Sequence, residues 1–240
     1  LSFDTIGALK KNLEKEYRYV LLVDAGDHLQ GTAFGSMDQG ASVLQLMNKA
    51  GYDLATPGNH EFDYGMDIFL ERVQEAEFPY LSCNLYHQED GVRGENLLES
   101  FQAYHFGKEI VAFIGITTPE TIVKSTPAYF QDENGSFCYG ISGGDDGQAL
   151  YDDVQFAVDA IRRAGATKVI AVGHLGDDPS SSPWTSEEVI AHVRGLDAFI
   201  DGHSHSEVSG QQILGADGEP VLLTQTGEYL NNVGIMVIDY

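Results

Sequence analysis

Four short apolar segments of this sequence each run into a glycine beside a carboxylate, an amide or a histidine. They are Val23-Asp24-Ala25-Gly26-Asp27, Thr56-Pro57-Gly58-Asn59-His60-Glu61, Val172-Gly173-His174 and Asp201-Gly202-His203-Ser204-His205. Apolar runs of this length, closed by glycine, read as buried strands. In α/β sheets the loops leaving the carboxyl ends of strands converge on one crevice, and ligands bind there. The pattern predicts a layered α/β fold with a polar site at one rim of the sheet.

Between these segments the apolar period changes to that of a helix. Phe3, Ile6, Leu9, Leu13 and Tyr17 mark an opening helix, and Val43, Leu46, Met47 and Ala50 a second that Gly51 can end. Met66–Val73 and Glu187–Val193 read as helices, and the longest covers Gln148–Ala164 with Leu150, Val154, Ala157, Val158 and Ile161 on one face. Strands are predicted at Tyr19–Val23, Tyr52–Thr56, Tyr80–Asn84, Lys168–Val172 and Asp197–Ile200, and in a hairpin of Phe101–Phe106 with Glu109–Ile116. The tail turns antiparallel in style, with strands at Gln211–Leu214, Val221–Gln225 and Val233–Asp239. Helix–strand alternation followed by such a tail predicts mixed sheets within one domain, residues 1–240. Asp132–Gly147 reads as a long surface loop. Asp132, Asn134 and Ser136 imitate the start of a calcium loop, but Phe137 stands where the turn glycine belongs and no closing Glu follows.

Composition excludes several classes of function. Lys and Arg number 13 against 37 Asp and Glu, a formal net charge of −24, so neither nucleic acid nor an anionic membrane meets a basic face. The longest apolar runs, such as Val20–Val23 and Val111–Ile116, are strand-sized and far short of a membrane span. Leu1–Tyr17 carries acids and lysines on an amphipathic pattern and does not read as a leader. Cys83 and Cys138 form no CxxC and read as two separate thiols.

Each strand-end residue has an ordinary explanation on its own, as a turn former, a cap or a hydrogen-bonded histidine. Their joint occurrence points to a metal. The donors are oxygen and nitrogen without thiolate, a set that suits Zn, Mn, Fe or Co and not a structural cysteine site. A metal also explains how so acidic a chain can receive an anion, because the local positive charge then comes from the ion.

The motifs Gly26-Asp27, Gly58-Asn59-His60-Glu61-Phe62-Asp63-Tyr64-Gly65, Gly173-His174 and Gly202-His203-Ser204-His205 resemble, in order and spacing, the calcineurin-like metallophosphoesterase superfamily. Within it the similarity is to the catalytic domain of the 5′-nucleotidase family, supported by Phe78-Pro79-Tyr80-Leu81-Ser82. The resemblance implies an αββα sandwich, two mixed β-sheets flanked by helices. It implies two divalent ions, with Asp27 bridging them, Asn59, His174 and His203 completing one, and His205 on the other. Alternation along an extended segment would set His203 and His205 on one side. His60 would face the phosphoryl group, with Asp63 orienting its ring, while Glu61 and Asp67 read as structural or capping residues.

The same resemblance implies an Asp-x-His motif on an earlier strand and a C-terminal domain that stacks the nucleobase. Neither is in this sequence, so the chain reads as a piece of a longer protein that binds one ion tightly and is weakly active alone. Tyr104, Tyr139 and Trp184 could stack a ring but read better as packing. The expected activity is metal-dependent hydrolysis of a nucleotide or related phosphate ester. A cyclic-nucleotide phosphodiesterase with 3′-nucleotidase activity, and a non-catalytic metal-binding module, are the alternatives. By resemblance alone, an extracellular, cell-surface or periplasmic location follows.

Overall fold

A computed structural model describes residues 1–238. The chain opens on helix α1 (Phe3–Glu16), capped by the Ser2 hydroxyl, which accepts from the Thr5 N–H. Strand β1 (Val23–Asp24), the short helix α2 (Ala33–Met37), helix α3 (Ala41–Ala50) and strand β2 (Leu54–Ala55) follow. Helix α4 (Met66–Glu75) leads to two hairpins, β3 (Leu85–Glu89) with β4 (Val92–Asn96) and β5 (Phe101–Phe106) with β6 (Glu109–Thr117). Then come α5 (Glu120–Lys124), β7 (Tyr139–Ile141), the long α6 (Gln148–Arg163) and β8 (Lys168–His174). Helix α7 (Ser186–His192), β9 (Ala198–Asp201), β10 (Glu207–Leu214) and β11 (Pro220–Thr226) complete the regular elements.

Strand order β10-β11-β9-β8-β6-β5 forms one six-stranded sheet, in which β6, β8, β9 and β11 run parallel and the two edges antiparallel. Period-2 alternation explains its two buried faces. On β6 and β8, Ala112, Ile114, Val169 and Ala171 pack beneath α6 and α7, together with Leu150, Val154, Val189 and Ile190. Val111, Phe113, Ile170 and Val172 point the other way, onto Leu54 and Leu81. The far side of that second layer, with Ala55 and Tyr80, is covered by Val43, Leu44 and Met47 of α3 and Met66 and Phe69 of α4. Helix, sheet, sheet and helix therefore stack as the αββα reading expects. Hydrogen bonding divides the second layer into the parallel pair β1-β2 and an antiparallel sheet β4-β3-β7.

Several boundaries differ from the sequence reading. Of Tyr19–Val23, only Val23 joins a ladder; the Leu22 N–H is taken by the Asp53 carboxylate. Residues 80–84 form no ladder; they join their neighbours through the single bridges Ala55–Tyr80 and Leu81–Glu99 and through bonds such as the Cys83 N–H to the Gly115 carbonyl. Residues 233–238 form no strand, although Met236 and Ile238 pack on the inter-sheet core, and Asp239 lies outside the described residues. The Asp132–Gly147 segment contains β7, and the Asp132 carboxylate accepts from the Asn134 and Ser136 N–H groups, closing a turn rather than a calcium loop. Cys83, buried, and Cys138 are free thiols.

Candidate metal centre

The carboxyl ends of β1, β8 and β9 meet at one rim of the sandwich. There Asp27, His174 and His203 each offer a ligand atom, and these atoms lie within 4.8 Å of one another. Small residues permit the meeting. A Cβ on Gly26, which has φ +94°, would lie 2.5 Å from the Gly58 nitrogen and 2.9 Å from His174 Nδ1. One on Gly58 would lie 2.7 Å from His174 Cε1 and 2.8 Å from the Asp27 nitrogen. Any side chain at either position would push the strand ends apart.

The loop after β2 carries Asn59 and His60 against Asp27. Asp27 Oδ1 accepts from the His60 N–H at 2.9 Å, and Asp27 Oδ2 lies 3.0 Å from His174 Nε2. Asn59 is buried, and its Oδ1 has no hydrogen-bond partner; neither does His174 Nε2, whose contact with Asp27 lacks hydrogen-bond alignment. Leaving the Asn59 amide oxygen buried and unpaired costs about 1–3 kcal/mol. An amide oxygen and an imidazole nitrogen without partners, next to a carboxylate and a second imidazole, are the donor set of a divalent transition metal. The residues present fit such an ion.

Electrostatics in the metal-free protein follow from this crowding. Burial opposes charge on Asp27, but the His174 imidazolium and the His60 N–H outweigh it and hold the carboxyl well below the usual range. His174 is pushed up to about 9: burial works against its cation, and Asp27 and the Ala25 carbonyl overcome that penalty. His203 shifts down, through burial and then repulsion from His174, with Glu120 opposing. Asp27, His203 and His205 all have positive φ, at 64°, 82° and 59°. Non-glycine residues hold that conformation only where their surroundings impose it.

Two networks impose it. Glu61, fully buried, accepts four backbone N–H groups, from Asp27 at 2.6 Å, Gly58 at 2.7 Å, His28 at 2.8 Å and Leu29 at 3.0 Å. Asp177 accepts from the Ser204 and Ser206 hydroxyls at 2.5 and 2.6 Å, and Gln225 Oε1 accepts from the Ser206 N–H. His60 Nδ1 lies 2.6 Å from Asp63 Oδ2, the contact expected across the turn His60–Phe62, and its ring is half exposed. The His60 ring shifts up, because Asp63 and Asp27 outweigh the burial penalty.

His205 stands apart from the three clustered ligands. Its side chain is 55% exposed, with Nδ1 2.7 Å from Glu228 Oε2. The segment holding both histidines is a tight bend rather than an extended run, so alternation does not describe it. Tyr104 donates to the Asp53 carbonyl and Trp184 to the Gly144 carbonyl, both as packing residues.

Three residues at the site carry no motif of their own. His28 is buried behind Asp27, with Nδ1 on Asp24 and Nε2 on the Tyr80 hydroxyl, so neither nitrogen is free to ligate. It is pushed up to about 9, the carboxylates of Glu61 and Asp24 overcoming burial. The Ala25 carbonyl accepts from His174 Nδ1 at 2.6 Å, and Glu120 Oε2 lies 2.7 Å from His203 Nε2. Adjacency to Asp27 was the one signal available for His28; nothing near Glu120 marks it.

A calcineurin-like phosphoesterase family model matches residues 2–207. Human 5′-nucleotidase is 33% identical over 195 residues, covering 78% of this chain and 29% of that protein. A snake venom 5′-nucleotidase from Gloydius brevicauda is 31% identical over 203 residues, covering 82% of this chain and 30% of that protein. The chain thus spans about 30% of the length of these curated relatives. Among solved structures, a 5′-nucleotidase precursor from Thermus thermophilus superposes with a TM-score of 0.74 at 24% identity, covering 93% of this chain and 42% of that one. An NAD nucleotidase from Haemophilus influenzae gives 0.74 at 22% identity, covering 93% and 43%. Both structures share the fold.

Proposed function

The chain belongs to the calcineurin-like phosphoesterase family, and from that premise we propose that it is the metal-binding catalytic part of a phosphate-ester hydrolase of the 5′-nucleotidase kind. Asp27, Asn59, His174 and His203 would hold one divalent ion, and His205 would serve a second that shares Asp27. Bound there, a divalent ion supplies Lewis acidity, drawing charge from phosphoryl oxygens and acidifying water. The buried Asn59 Oδ1, without a hydrogen-bond partner beside the clustered Asp27, His174 and His203, carries this reading.

The chain's own groups would do the rest. Asp63 fixes the His60 ring through Nδ1, which leaves Nε2 directed outward, and Asp63 and Asp27 shift that ring upward against the burial penalty, favouring its protonated form. A proton held at Nε2 can stabilise charge on a phosphoryl oxygen and then pass to the leaving oxygen. The His60 N–H on Asp27 Oδ1 ties that acid to the ligand loop. With His205 turned to Glu228, this chain is proposed to take up one ion tightly. Choice of the nucleoside is assigned to a part of the longer protein outside this chain, as is an extracellular or periplasmic setting, which the relatives support only by kinship.

The test is metal content after dialysis against Mn or Zn, with hydrolysis of a panel: nucleoside 5′-monophosphates, 2′,3′-cyclic nucleotides and a simple aryl phosphate. A chelator-sensitive thermal shift with turnover on monoesters supports the reading. Preference for the cyclic diesters would favour the phosphodiesterase alternative, and metal uptake without turnover on any ester, even in the longer protein, the non-catalytic module. Absence of any metal-dependent shift would refute the site.

A further inference from the structure

Glu120 lies in no recognised motif, yet the sheet register brings it to the ion site. Thr117, at the carboxyl end of β6, pairs directly with His174 on β8. Glu120 follows three residues later, as the first residue of α5, so β6 adds a further strand end of the large sheet's rim to those of β8 and β9. Its carboxylate is 7% exposed, and one oxygen receives every contact. Oε2 lies 2.7 Å from His203 Nε2, 2.8 Å from Lys124 Nζ and 3.1 Å from Ser181 Oγ.

We propose that Glu120 is a positioning residue for His203: it holds the ring proton on Nε2 and so presents the lone pair of Nδ1 to the ion shared with Asp27 and His174. The inference rests on the reading of this cluster as a metal centre. A neutral imidazole has one N–H and one lone pair, and a carboxylate only accepts. With Nε2 committed to Glu120, Nδ1 is the nitrogen left for a ligand. Lys124 and Ser181 anchor the same oxygen, so the carboxylate cannot follow the ring if it turns. His203 needs such an anchor, because its backbone sits at φ 82° and imposes no orientation on the ring by regular structure. His174 uses the complementary device: its Nδ1–H donates to the Ala25 carbonyl, which leaves Nε2 for the ion. The two rings, with centroids 5.0 Å apart, would thus offer the ion opposite nitrogens, one set by a carbonyl and one by a carboxylate. The carboxylate also makes its imidazole the more basic ligand of the two.

The test uses the full 240-residue chain, stripped of metal and labelled with 15N at histidine. Long-range 1H–15N correlation at mildly alkaline pH is expected to show neutral His203 protonated at Nε2, with the His203 signals identified by their loss in His203→Gln. In a titration with Mn2+ alone, Glu120→Leu is expected to weaken binding about 10- to 100-fold. Glu120→Gln keeps an acceptor and the side chain's size but not the charge, and is expected to lose about 10-fold with an unchanged urea midpoint. His203 protonated at Nδ1 in the wild type, or either variant binding Mn2+ within about twofold of it, overturns the proposal. Should Glu120→Leu fail to fold, Glu120→Gln decides the affinity arm. A wild type that takes up no Mn2+ defeats the metal-centre reading itself, while the tautomer of His203 still tests the Glu120 contact.

Discussion

Replacing Glu61 with glutamine exchanges one carboxylate oxygen for an NH2 group at a point where every neighbour is a donor. Oε2 receives the Asp27 and Gly58 N–H groups, and Oε1 receives those of His28 and Leu29. Whichever oxygen is lost, two buried N–H groups lose their acceptor and face an amide that donates. At about 1–3 kcal/mol for each unpaired buried group, the two together cost roughly 2–6 kcal/mol, and relaxation of the loop brings the expected loss to about 3 kcal/mol. That is a large part of the ~5–15 kcal/mol by which such chains are folded. In a chain of this size each kcal/mol moves the melting midpoint about 2–4 °C, so Glu61→Gln should melt about 6–12 °C below wild type. Urea unfolding of the metal-free protein measures the free energy, and thermal denaturation followed by circular dichroism measures the midpoint. Glu14→Gln, on an exposed face of α1, is the control and should stay within about 0.5 kcal/mol. If Glu61→Gln is as stable as that control, Glu61 does not hold the Asp27 loop, and the account of how Asp27 keeps its positive φ fails.

Four further outcomes are expected. Asp27→Ala should remove metal and activity together, whereas His60→Ala should keep the metal and slow turnover about 10²- to 10⁴-fold; equal metal loss in both would refute the division of roles. Gly58→Ala forces a methyl group against His174 and Asp27, costing about 1–3 kcal/mol and weakening metal binding, and a variant with wild-type midpoint and affinity would contradict that packing. At the start of α7, Thr185 and Glu188 form a reciprocal cap, and Thr185→Ala should cost about 1 kcal/mol in urea unfolding. Glu188 lies below the usual carboxylate range: burial opposes its charge, but the Ser182 and Thr185 donors outweigh it. A lowered carboxylate contributes stability above its unfolded pKa and loses it as the pH falls through the folded value. The gap between wild type and Glu188→Gln should therefore be widest at neutral pH and close in acid; a gap that widens in acid would reverse the sign.

The helices and the parallel strands were legible because their burial has one period each. Leu150, Val154, Ala157, Val158 and Ile161 repeat at helical spacing, and α6 buries all of them. The β3–β4 hairpin was missed because β4 is exposed at four of its five residues, so no alternation is written into it. The Asp90-Gly91 pair, with φ 51° and 75°, was the available turn signal. The apolar runs Tyr19–Val23 and Val233–Asp239 read as strands by composition, but a ladder also needs a backbone edge, and side-chain pattern does not report one. At the site, glycine and strand end mark Asp27, Asn59, His174 and His203 as candidates alongside His60 and His205, and the family resemblance picks the ligand set among them. Glu61, read as structural or capping, does cap backbone amides, whereas Glu120 could not be found, because a carboxylate that serves another residue's ring has no spacing of its own.

The hydrogen bond between the His174 ring and the Ala25 carbonyl joins groups 149 residues apart. On a ribosome adding ~5–20 residues per second, roughly 7–30 s separate the synthesis of its two ends. Throughout that interval Asp27 has emerged without the imidazoles that share its cluster, and no partial product can trap an ion with the finished affinity. An ion at the proposed centre would therefore load late in the life of the nascent polypeptide, and the free-metal level that matters would be the one met after the second half has been made.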